Sequence, residues 1–189
     1  MENKELLILV DENDQQWGKL EKELVHQLGL LHRAFSIFIF NSKGELLLQQ
    51  RADSKYHSGG LWTNTCCSHP RFGEELNDAV NRRLNEEMGM KSKTKFAFSF
   101  VYKTNFENGL TEHEFDHVFF GVTDDLPNPE KSEVKNWKYM SLKLLENDLE
   151  QNQHHYTAWF KICFNKVVTH FENKNLESKK VKPIKYAQI

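Results

Sequence analysis

Short apolar runs separated by turn-forming residues dominate the first third of the chain. Residues 6–10 form one such run, and residues 34–40 and 45–50 flank a turn of sequence Asn-Ser-Lys-Gly. Two runs of strand length joined by a short turn with Asn and Gly predict a β-hairpin. Residues 61–64, directly after a pair of glycines, predict a further short strand.

Residues 75–89 predict an amphipathic helix. Apolar side chains recur there at the spacing that places them on one helical face. Gly89 suits the C-terminal cap, because glycine adopts the left-handed conformation at little cost. The apolar positions are Leu76, Ala79, Val80, Leu84 and Met88.

A second hairpin and two closing helices are predicted in the second half of the chain. Residues 96–104 and 112–122 flank a polar segment that contains Asn and Gly, which predicts a hairpin. The remaining predicted elements are a strand at residues 137–140 and helices at residues 142–149 and 157–171.

These elements predict a single α+β domain. Hairpins, one central helix, further strands and closing helices favour a mixed sheet covered by helices over a regular βαβ alternation. No repeat or linker divides residues 1–189. We expect the core to span about residues 22–172 and a basic tail at about 176–189 to be at most partly ordered.

The composition is that of a globular protein and narrows the possible functions. Of 189 residues, 39% are hydrophobic and 28% charged, and the net charge of −2 does not favour nucleic-acid binding. No apolar run approaches the roughly 18 residues of a membrane span, and none has the character of a secretion signal. Three cysteines, two of them adjacent, suit free thiols better than disulfides. We expect a cytoplasmic protein without nucleic-acid or membrane partners.

Histidines and acids spread along the chain form a possible metal site. Glu112 and Glu114 are two positions apart on a predicted strand, so both carboxylates point to one face of the sheet. Three imidazoles and two carboxylates suit a divalent ion such as Mn²⁺, Zn²⁺ or Fe²⁺. Spacing alone leaves open that these are surface residues in a chain with nine histidines. The candidate ligands are His26, His32, His69, Glu112 and Glu114.

Charged residues on the helix at 75–89 point to a second metal contact. Glu87 lies one helical turn beyond Arg83, so the two side chains can face each other. Carboxylates such as Glu86 and Glu87 can bind Mg²⁺, which commonly bridges to substrate phosphates. By charge pattern alone, a solvated helix face with ordinary ion pairs is the favoured interpretation.

Four basic residues are candidates for binding a diphosphate. Arginine offers forked hydrogen bonds to phosphate oxygens, and lysine offers a compact charge. Each is weak evidence alone, because basic residues are common on protein surfaces. The four are Lys22, Arg51, Lys55 and Arg83.

Residues 63–70 carry the most unusual motif, Thr-Asn-Thr-Cys-Cys-Ser-His-Pro. A cysteine near a histidine can be a nucleophile, a metal ligand or a general acid or base, depending on nearby charge. The alternative is a buried, inert thiol. We take Cys66 as the inert thiol and Cys67 as the reactive one.

These motifs resemble those of the type I isopentenyl-diphosphate isomerases, which belong to the Nudix fold family. The resemblance covers about residues 22–159. Its most specific part is Thr-Asn-x-x-Cys-x-His-Pro at residues 63–70, and Glu112-x-Glu114 is an independent match. Further matches are Leu31-His32-Arg33-Ala34-Phe35, Gln50-Arg51-Ala52, Leu61-Trp62, Arg82-Arg83, Glu86-Glu87-Met88-Gly89 and Trp159.

The resemblance implies a role for each candidate residue. Cys67 and Glu114 match the catalytic pair, with Tyr102 and Trp159 beside them. Glu87 is similar to the residue that reaches a Mg²⁺ ion on the diphosphate. The implied ligands of a second ion (Mn²⁺, Zn²⁺ or similar) are His26, His32, His69, Glu112 and Glu114, and the implied diphosphate-binding cations are Lys22, Arg51, Lys55 and Arg83.

The implied reaction moves the double bond of isopentenyl diphosphate through a tertiary carbocation, a step of isoprenoid biosynthesis. The resemblance also implies a Nudix-like mixed sheet sandwiched by helices, a small-molecule substrate, and a monomer or weak homodimer. The chain departs from the family pattern at two places. It has Gly59-Gly60 where Pro-Gly is common, and the spacing from His26 to His32 is one residue shorter than is usual.

Two alternatives compete with the isomerase. The nearest is a Nudix hydrolase that cleaves a nucleoside diphosphate derivative. The helix departs from the full hydrolase box, however, since Ser68 stands at its leading Gly and Arg83 replaces the Glu after Arg82. The other is a non-catalytic metal- or nucleotide-binding module, which gives Cys67 and Glu114 no reason to lie together.

Overall fold

The structure, a computed structural model, describes residues 5–55 and 57–180, with side chains described as far as residue 173. The strands of the described chain are β1 (Leu6–Val10), β2 (Gln16–Glu21), β3 (His32–Phe40), β4 (Glu45–Arg51), β5 (Trp62–Thr63), β6 (Cys66–Ser68), β7 (Thr94–Asn105), β8 (Thr111–Val122) and β9 (Val134–Ser141). The α-helices are α1 (Lys22–Leu28), α2 (Leu76–Met88), α3 (Leu142–Gln151) and α4 (Ala158–Lys180), with a 3₁₀ helix at Gln153–His155.

Strand β3 is the centre of the sheet. It pairs with β8 in parallel along its whole length and places His32 opposite Glu114. Its other edge is shared by β1, β4 and the antiparallel strand β6, which places Cys67 opposite Ser36. Parallel and antiparallel pairs in one sheet confirm the predicted mixed topology.

The remaining strands extend this sheet, largely as hairpins. Strand β7 is antiparallel to β8 and brings Tyr102 opposite Glu114. Strand β1 pairs with β2, and β9 pairs with β4. The predicted β3–β4 hairpin is present, although those strands pair only beside the turn, at Phe40 and Leu46. The predicted β7–β8 hairpin is paired along its full length.

Helices cover both faces of the sheet. Because side chains alternate along a strand, β3 buries Phe35 and Ile37 against α2 on one face. It buries Phe38 and Phe40 on the other face, where α3 and α4 pack. The predicted α+β fold, a mixed sheet between helices, is therefore confirmed.

Periodicity does not predict two elements, β2 and α1. No residue of β2 is buried, and Gln16, Trp17 and Lys19 are exposed, Trp17 at 61%, so the strand lacks an alternation of buried and exposed positions. Helix α1 has only seven residues, too few for a clear helical period. It ends at Gly29, whose φ is 62° and where an added Cβ would lie 3.2 Å from Thr111.

Several boundaries differ from the predicted ones. The strand predicted at residues 61–64 is reduced to β5, and β6 follows at the cysteine pair. Helix α4 continues to Lys180, beyond its predicted end at residue 171. The buried strand β1 lies upstream of residue 22, the predicted start of the core. Residues 181–189 of the predicted tail lie outside the described residues. Among the described helices, none is both long enough and apolar enough to cross a membrane.

Candidate active site and metal centre

Four of the predicted metal ligands converge at the start of β3. The ligand atoms of His26, His32, His69 and Glu114 all lie within 4.8 Å of one another, and all four residues are buried. His32 Nε2 lies 3.2 Å from His69 Nε2, which lies 3.0 Å from Glu114 Oε1. The residues come from α1, β3, the loop after β6, and β8, so the sheet brings four distant segments together.

Backbone carbonyls orient two of these imidazoles. The Nδ1–H of His26 donates to the Lys22 carbonyl at 2.7 Å, and the Nδ1–H of His32 donates to the Leu30 carbonyl at 2.9 Å. Because a carbonyl only accepts, the lone pair of each ring is on Nε2, the usual arrangement in metal-binding histidines. Burial lowers the pKa of His26 and lowers that of His69 to about 4, which keeps both rings neutral. The donor set fits a divalent ion.

The Tyr102 hydroxyl joins two carboxyl groups. Its oxygen lies 2.7 Å from Glu114 Oε2 and 2.9 Å from Glu112 Oε2. The hydroxyl has one hydrogen, so the second contact needs a hydrogen on a carboxyl group. Burial, with the charge of Glu114, raises the pKa of Glu112 well above its ordinary value. Burial opposes ionisation of Glu114 too, but the neighbouring imidazoles of His32 and His69 hold its pKa well below the ordinary value. The shared hydrogen therefore belongs with Glu112.

Glu112 lies beside the four converging ligands without joining them. Its Oε1 lies 3.3 Å from Nε2 of His57, a buried residue of the loop before β5. The His57 ring stacks on Phe106 and meets Trp159 edge-on. Burial and the charge of Arg51 lower the pKa of His57 to about 3. No sequence pattern marks this residue, since it is one of nine histidines and lies in a loop.

The pleat of β6 separates the two adjacent cysteines. Cys66 is fully buried in the core beneath α2. Cys67 points to the opposite face and lines a pocket. Burial raises the pKa of the Cys67 thiol well above its usual range, although the charge of Arg51 acts in the other direction. The Cys67 side chain is therefore a thiol at physiological pH.

Cys67 and Glu114 lie on strands at opposite edges of β3. Cys67 is opposite Ser36 on one edge, and Glu114 is opposite His32 on the other. His32 and Ser36 are separated by an even number of positions, so they share one face of the strand. Both functional groups lie on that face, and both line the same pocket.

The start of α4 places an indole at this pocket. The N–H of Thr157 donates to the Trp62 carbonyl at 3.0 Å, and its hydroxyl donates to Thr63 Oγ1 at 2.9 Å. These bonds tie the helix to β5. Trp159 follows at 3% exposure and lines the pocket. The guanidinium carbon of Arg51 lies 5.3 Å from the centre of its ring, a cation–π contact.

The predicted diphosphate-binding cations gather at the same pocket, and acids contact three of them. Lys22 is 3.0 Å from Glu5, and Lys55 is bonded to Glu133. The same carboxyl oxygen of Glu133 lies 3.4 Å from Arg83 Nη2. Sequence spacing does not link either acid to these cations, because the members of each pair are far apart along the chain.

The predicted pair of Arg83 and Glu87 on α2 is present. Arg83 is also 3.0 Å from Glu86. Glu87 is buried, lines the pocket and accepts a hydrogen bond from the Gln49 amide at 3.0 Å, whereas Glu86 is exposed. Glu87 is therefore the acid of this pair that faces the pocket.

One pocket, with an empty volume of about 530 Å³ that includes open solvent, unites most of the predicted site residues. His26 and His32 are not part of its wall. The two members of the cluster that line the pocket are His69 and Glu114. The predicted residues that form the wall are Lys22, Arg51, Lys55, Cys67, His69, Arg83, Glu87, Tyr102, Glu112, Glu114 and Trp159.

Comparison with known proteins identifies related sequences over most of the chain. The NUDIX domain matches residues 30–160. The chain is 52% identical over 163 residues to isopentenyl-diphosphate Delta-isomerase 2 of Aromatoleum aromaticum, an alignment that covers 86% of each protein. It is 47% identical over 166 residues to isopentenyl-diphosphate Delta-isomerase of Pectobacterium atrosepticum, covering 88% of this chain and 93% of that protein.

Solved structures share the fold at low sequence identity. DR0079 from Deinococcus radiodurans has a TM-score of 0.66 at 20% identity, covering 78% of this chain and 90% of its own. The MutT protein from Methanosarcina mazei Go1 has a TM-score of 0.60 at 21% identity, covering 77% of this chain and 95% of its own. These similarities establish the fold.

Proposed function

The chain belongs to the Nudix family and, within it, to the isopentenyl-diphosphate Delta-isomerases, and on this premise we propose that it interconverts isopentenyl diphosphate and dimethylallyl diphosphate in isoprenoid biosynthesis. The reaction adds one proton to the alkene and removes another from the far side of the allylic unit. The observation that carries the proposal is that Cys67 and Glu114 reach one pocket from opposite edges of β3.

Cys67 and Glu114 exchange the two protons with the substrate. Protonation of the unactivated alkene produces a tertiary carbocation, and loss of a proton on the other side completes the shift. The thiol of Cys67 and the carboxyl of Glu114, with the Tyr102 hydroxyl bonded to it, are the groups at hand. Because the reaction is reversible, each group donates in one direction and accepts in the other.

Trp159 protects and stabilises the carbocation. The cation must be kept from water and from its own diphosphate, and the buried indole closes the pocket at the start of α4. A cation over an indole face gains about 0.5–2 kcal/mol. The Arg51 guanidinium already lies near this ring, so the indole is accessible to positive charge from the pocket side.

The diphosphate anchors the substrate at the cationic end of the pocket. Lys22, Arg51, Lys55 and Arg83 would bind its oxygens, and the buried Glu87 would hold the accompanying Mg²⁺. Binding energy from this unreactive part of the substrate orients the alkene between the two proton-transfer groups.

A second divalent ion, such as Mn²⁺ or Zn²⁺, would be held by the buried cluster. When bound, it supplies a fixed positive charge that favours the ionised form of Glu114. The protein fixes the geometry, since Nδ1–H bonds to backbone carbonyls hold two of the rings. The proposed ligands are His26, His32, His69 and Glu114, with Glu112 beside them.

Hydrolysis of a nucleoside diphosphate derivative is less well supported. The hydrolase helix has an acid at the position of Arg83, where this chain has a cation. That cation is bonded to Glu86, Glu87 and Glu133, so a positive charge stands where the hydrolases have a metal-binding carboxylate.

The substrate is a small molecule, and several further aspects stay predictions. They are a cytoplasmic location, the absence of nucleic-acid and membrane partners, and a monomeric or weakly dimeric state. Light scattering during size-exclusion chromatography would measure the oligomeric state.

Incubation of the purified protein with isopentenyl diphosphate, Mg²⁺ and Mn²⁺, followed by ¹H and ³¹P NMR, tests the proposed function. We expect dimethylallyl diphosphate to appear with both phosphorus signals of a diphosphate retained. Inorganic phosphate or a monophosphate would instead indicate hydrolysis. Unchanged substrate, in protein with bound metal confirmed by elemental analysis, would refute catalysis.

A further inference from the structure

His57 lies in the pocket against Glu112, Phe106 and Trp159, and the proposed function gives it no task. We propose that His57 is a positioning residue that holds the Glu112 carboxyl group beside the metal cluster and supports the Trp159 indole. Its link to catalysis rests on the proposed function. Its link to metal binding can be measured without any substrate.

The two ring nitrogens of His57 have different partners. Nε2 lies 3.3 Å from Glu112 Oε1, and Nδ1 lies 3.3 Å from the hydroxyl of Ser58. A hydroxyl can donate to Nδ1, so an imidazole with its hydrogen on Nε2 satisfies both contacts. The second oxygen of Glu112 is bonded to Tyr102. Glu112 is thus held at both oxygens and cannot rotate without losing one bond.

Two aromatic rings, those of Phe106 and Trp159, also contact the His57 imidazole. It stacks on Phe106 with ring centres 4.7 Å apart and planes inclined by 19°. It meets Trp159 at 87° with centres 5.7 Å apart. Stacked and edge-to-face arrangements are the favourable aromatic geometries. The His57 ring therefore packs against both Phe106 and the Trp159 indole.

The backbone at His57 connects the same groups. Its carbonyl accepts a hydrogen bond from Arg51 Nη2 at 3.3 Å, and Arg51 lies against the Trp159 ring. Ser58 follows with φ of 52°, a left-handed conformation that is uncommon outside glycine. The bond from Arg51 and the left-handed turn at Ser58 fix the backbone on both sides of the His57 side chain. The loop therefore helps to hold the imidazole in the pocket, together with the groups that contact it.

Groups that hydrogen-bond to metal ligands commonly alter metal affinity or activity by about 10- to 100-fold when removed. His57 contacts Glu112, which lies beside the four ligands, so we expect His57→Phe, which keeps a ring but loses the donor, to weaken Mn²⁺ binding at the lower end of that range, by about 10-fold. His57→Gln, whose amide can replace the Nε2 donor, should recover most of the affinity. The exposed His154, replaced by Phe, is the matched control and should bind Mn²⁺ as the original protein does.

The experiment is a titration of metal-free protein with Mn²⁺, read by the electron paramagnetic resonance signal of free Mn²⁺. Steady-state assays with isopentenyl diphosphate then separate kcat from KM. A positioning role predicts a lower kcat with an unchanged KM, because the diphosphate-binding cations are untouched. Wild-type Mn²⁺ affinity in His57→Phe, or equal loss in both His57 variants, would overturn the proposal.

A folding control and a replacement variant accompany the Mn²⁺ titration. Circular dichroism establishes that each variant is folded. If His57→Phe does not fold, Ser58→Ala replaces it, because that change removes the hydroxyl that sets the tautomer. Unchanged Mn²⁺ affinity in Ser58→Ala would then count against the proposal. The absence of isomerisation by the unmodified protein would refute the proposed function and leave the metal-binding comparison intact.

Discussion

The hydroxyl oxygen of Tyr102 lies 2.7 Å from Oε2 of Glu114, and the two residues face each other across the β7–β8 pair. Both residues are buried and both line the pocket. The same oxygen reaches Glu112, which gives the active-site carboxyl a path to a second acidic group. A proton gained or lost by Glu114 during turnover therefore has an adjacent group with which to be shared.

Tyr102→Phe removes this hydroxyl and keeps the ring. We expect kcat to fall about 10- to 100-fold, because the orienting bond to Glu114 is lost while the metal ligands remain. Steady-state kinetics on folded protein would measure the change. Tyr139→Phe on β9, whose ring packs against the core beneath α2, is the control and should leave activity unchanged. Full activity in Tyr102→Phe would remove the hydroxyl from the mechanism.

The adjacent cysteines offer a matched pair of variants. Cys67→Ala should lower kcat by about 10²–10⁴-fold, which is the usual contribution of one acid–base group. Cys66→Ala should keep turnover and cost about 1 kcal/mol of folding stability, because its side chain lies in the core. Kinetics and thermal unfolding on both proteins separate the two effects. Equal activity loss in both variants would contradict the division of roles.

Glu114→Gln keeps the size of the side chain and removes its charge. We expect turnover to fall by about 10²–10⁴-fold, because both proton exchange and one metal donor are lost. Circular dichroism should show a folded protein. Elemental analysis should show reduced metal content. A variant with normal turnover would exclude this carboxyl group from proton transfer.

Removal of metal by chelation should abolish activity and lower the midpoint of thermal unfolding. The folded protein brings the ligand atoms of three imidazoles and a carboxylate within 4.8 Å of one another, so a bound cation stabilises the folded state over the unfolded one. Readdition of Mn²⁺ or Mg²⁺ should restore turnover. The check is activity against metal content determined by elemental analysis. Unchanged activity at a metal content near zero would argue against a role for the cluster.

Asp116 predicts a pH dependence of stability. Only 1% of the residue is exposed, Ser36 donates to its Oδ2 at 2.8 Å, and among described residues its Oδ1 has no hydrogen-bond partner. Burial, and then the charge of Glu114, raise its pKa well above the ordinary 3.8. The folded state thus binds more protons than the unfolded state above that pH, so this residue lowers stability as pH rises.

Asp116→Asn should remove this slope. In metal-free protein, the stability of the variant relative to the original should increase steadily from about pH 4 upward, measured by urea unfolding. Asp124→Asn is a control of opposite sign, because a backbone hydrogen bond from Ser42 lowers the pKa of this exposed group. Its removal should cost stability above pH 3.8, and the cost should fade as the pH falls below that value. A pH-independent difference for Asp116→Asn would contradict the prediction.

Local patterns were sufficient for most of the elements and for much of the chemistry. The helix at α2, the strand at β1 and the two hairpins follow from periodicity and turn residues, because those signals act between neighbours in the chain. The motif at residues 63–70 singled out Cys67 in the same way. The alternation of Glu112 and Glu114 correctly predicted one face, since both reach the Tyr102 hydroxyl.

Contacts between distant segments were decided by the tertiary structure alone. His26 sits on a short helix without a clear period, yet its ring centre lies 5.0 Å from that of His32. His57, Gln49 and Glu133 entered the site only through partners far away in sequence. The number of residues between two positions does not give the distance between their side chains, which is fixed only when the strands of the sheet pair.

The sequence by itself therefore determined which residues carry reactive groups, since acidity, metal affinity and charge belong to the side chains. The tertiary structure decided which of them act together and in what protonation state. The two cysteines make the difference plain. They are chemically identical neighbours, and only the pleat of β6 buries Cys66 in the core and turns Cys67 towards the pocket.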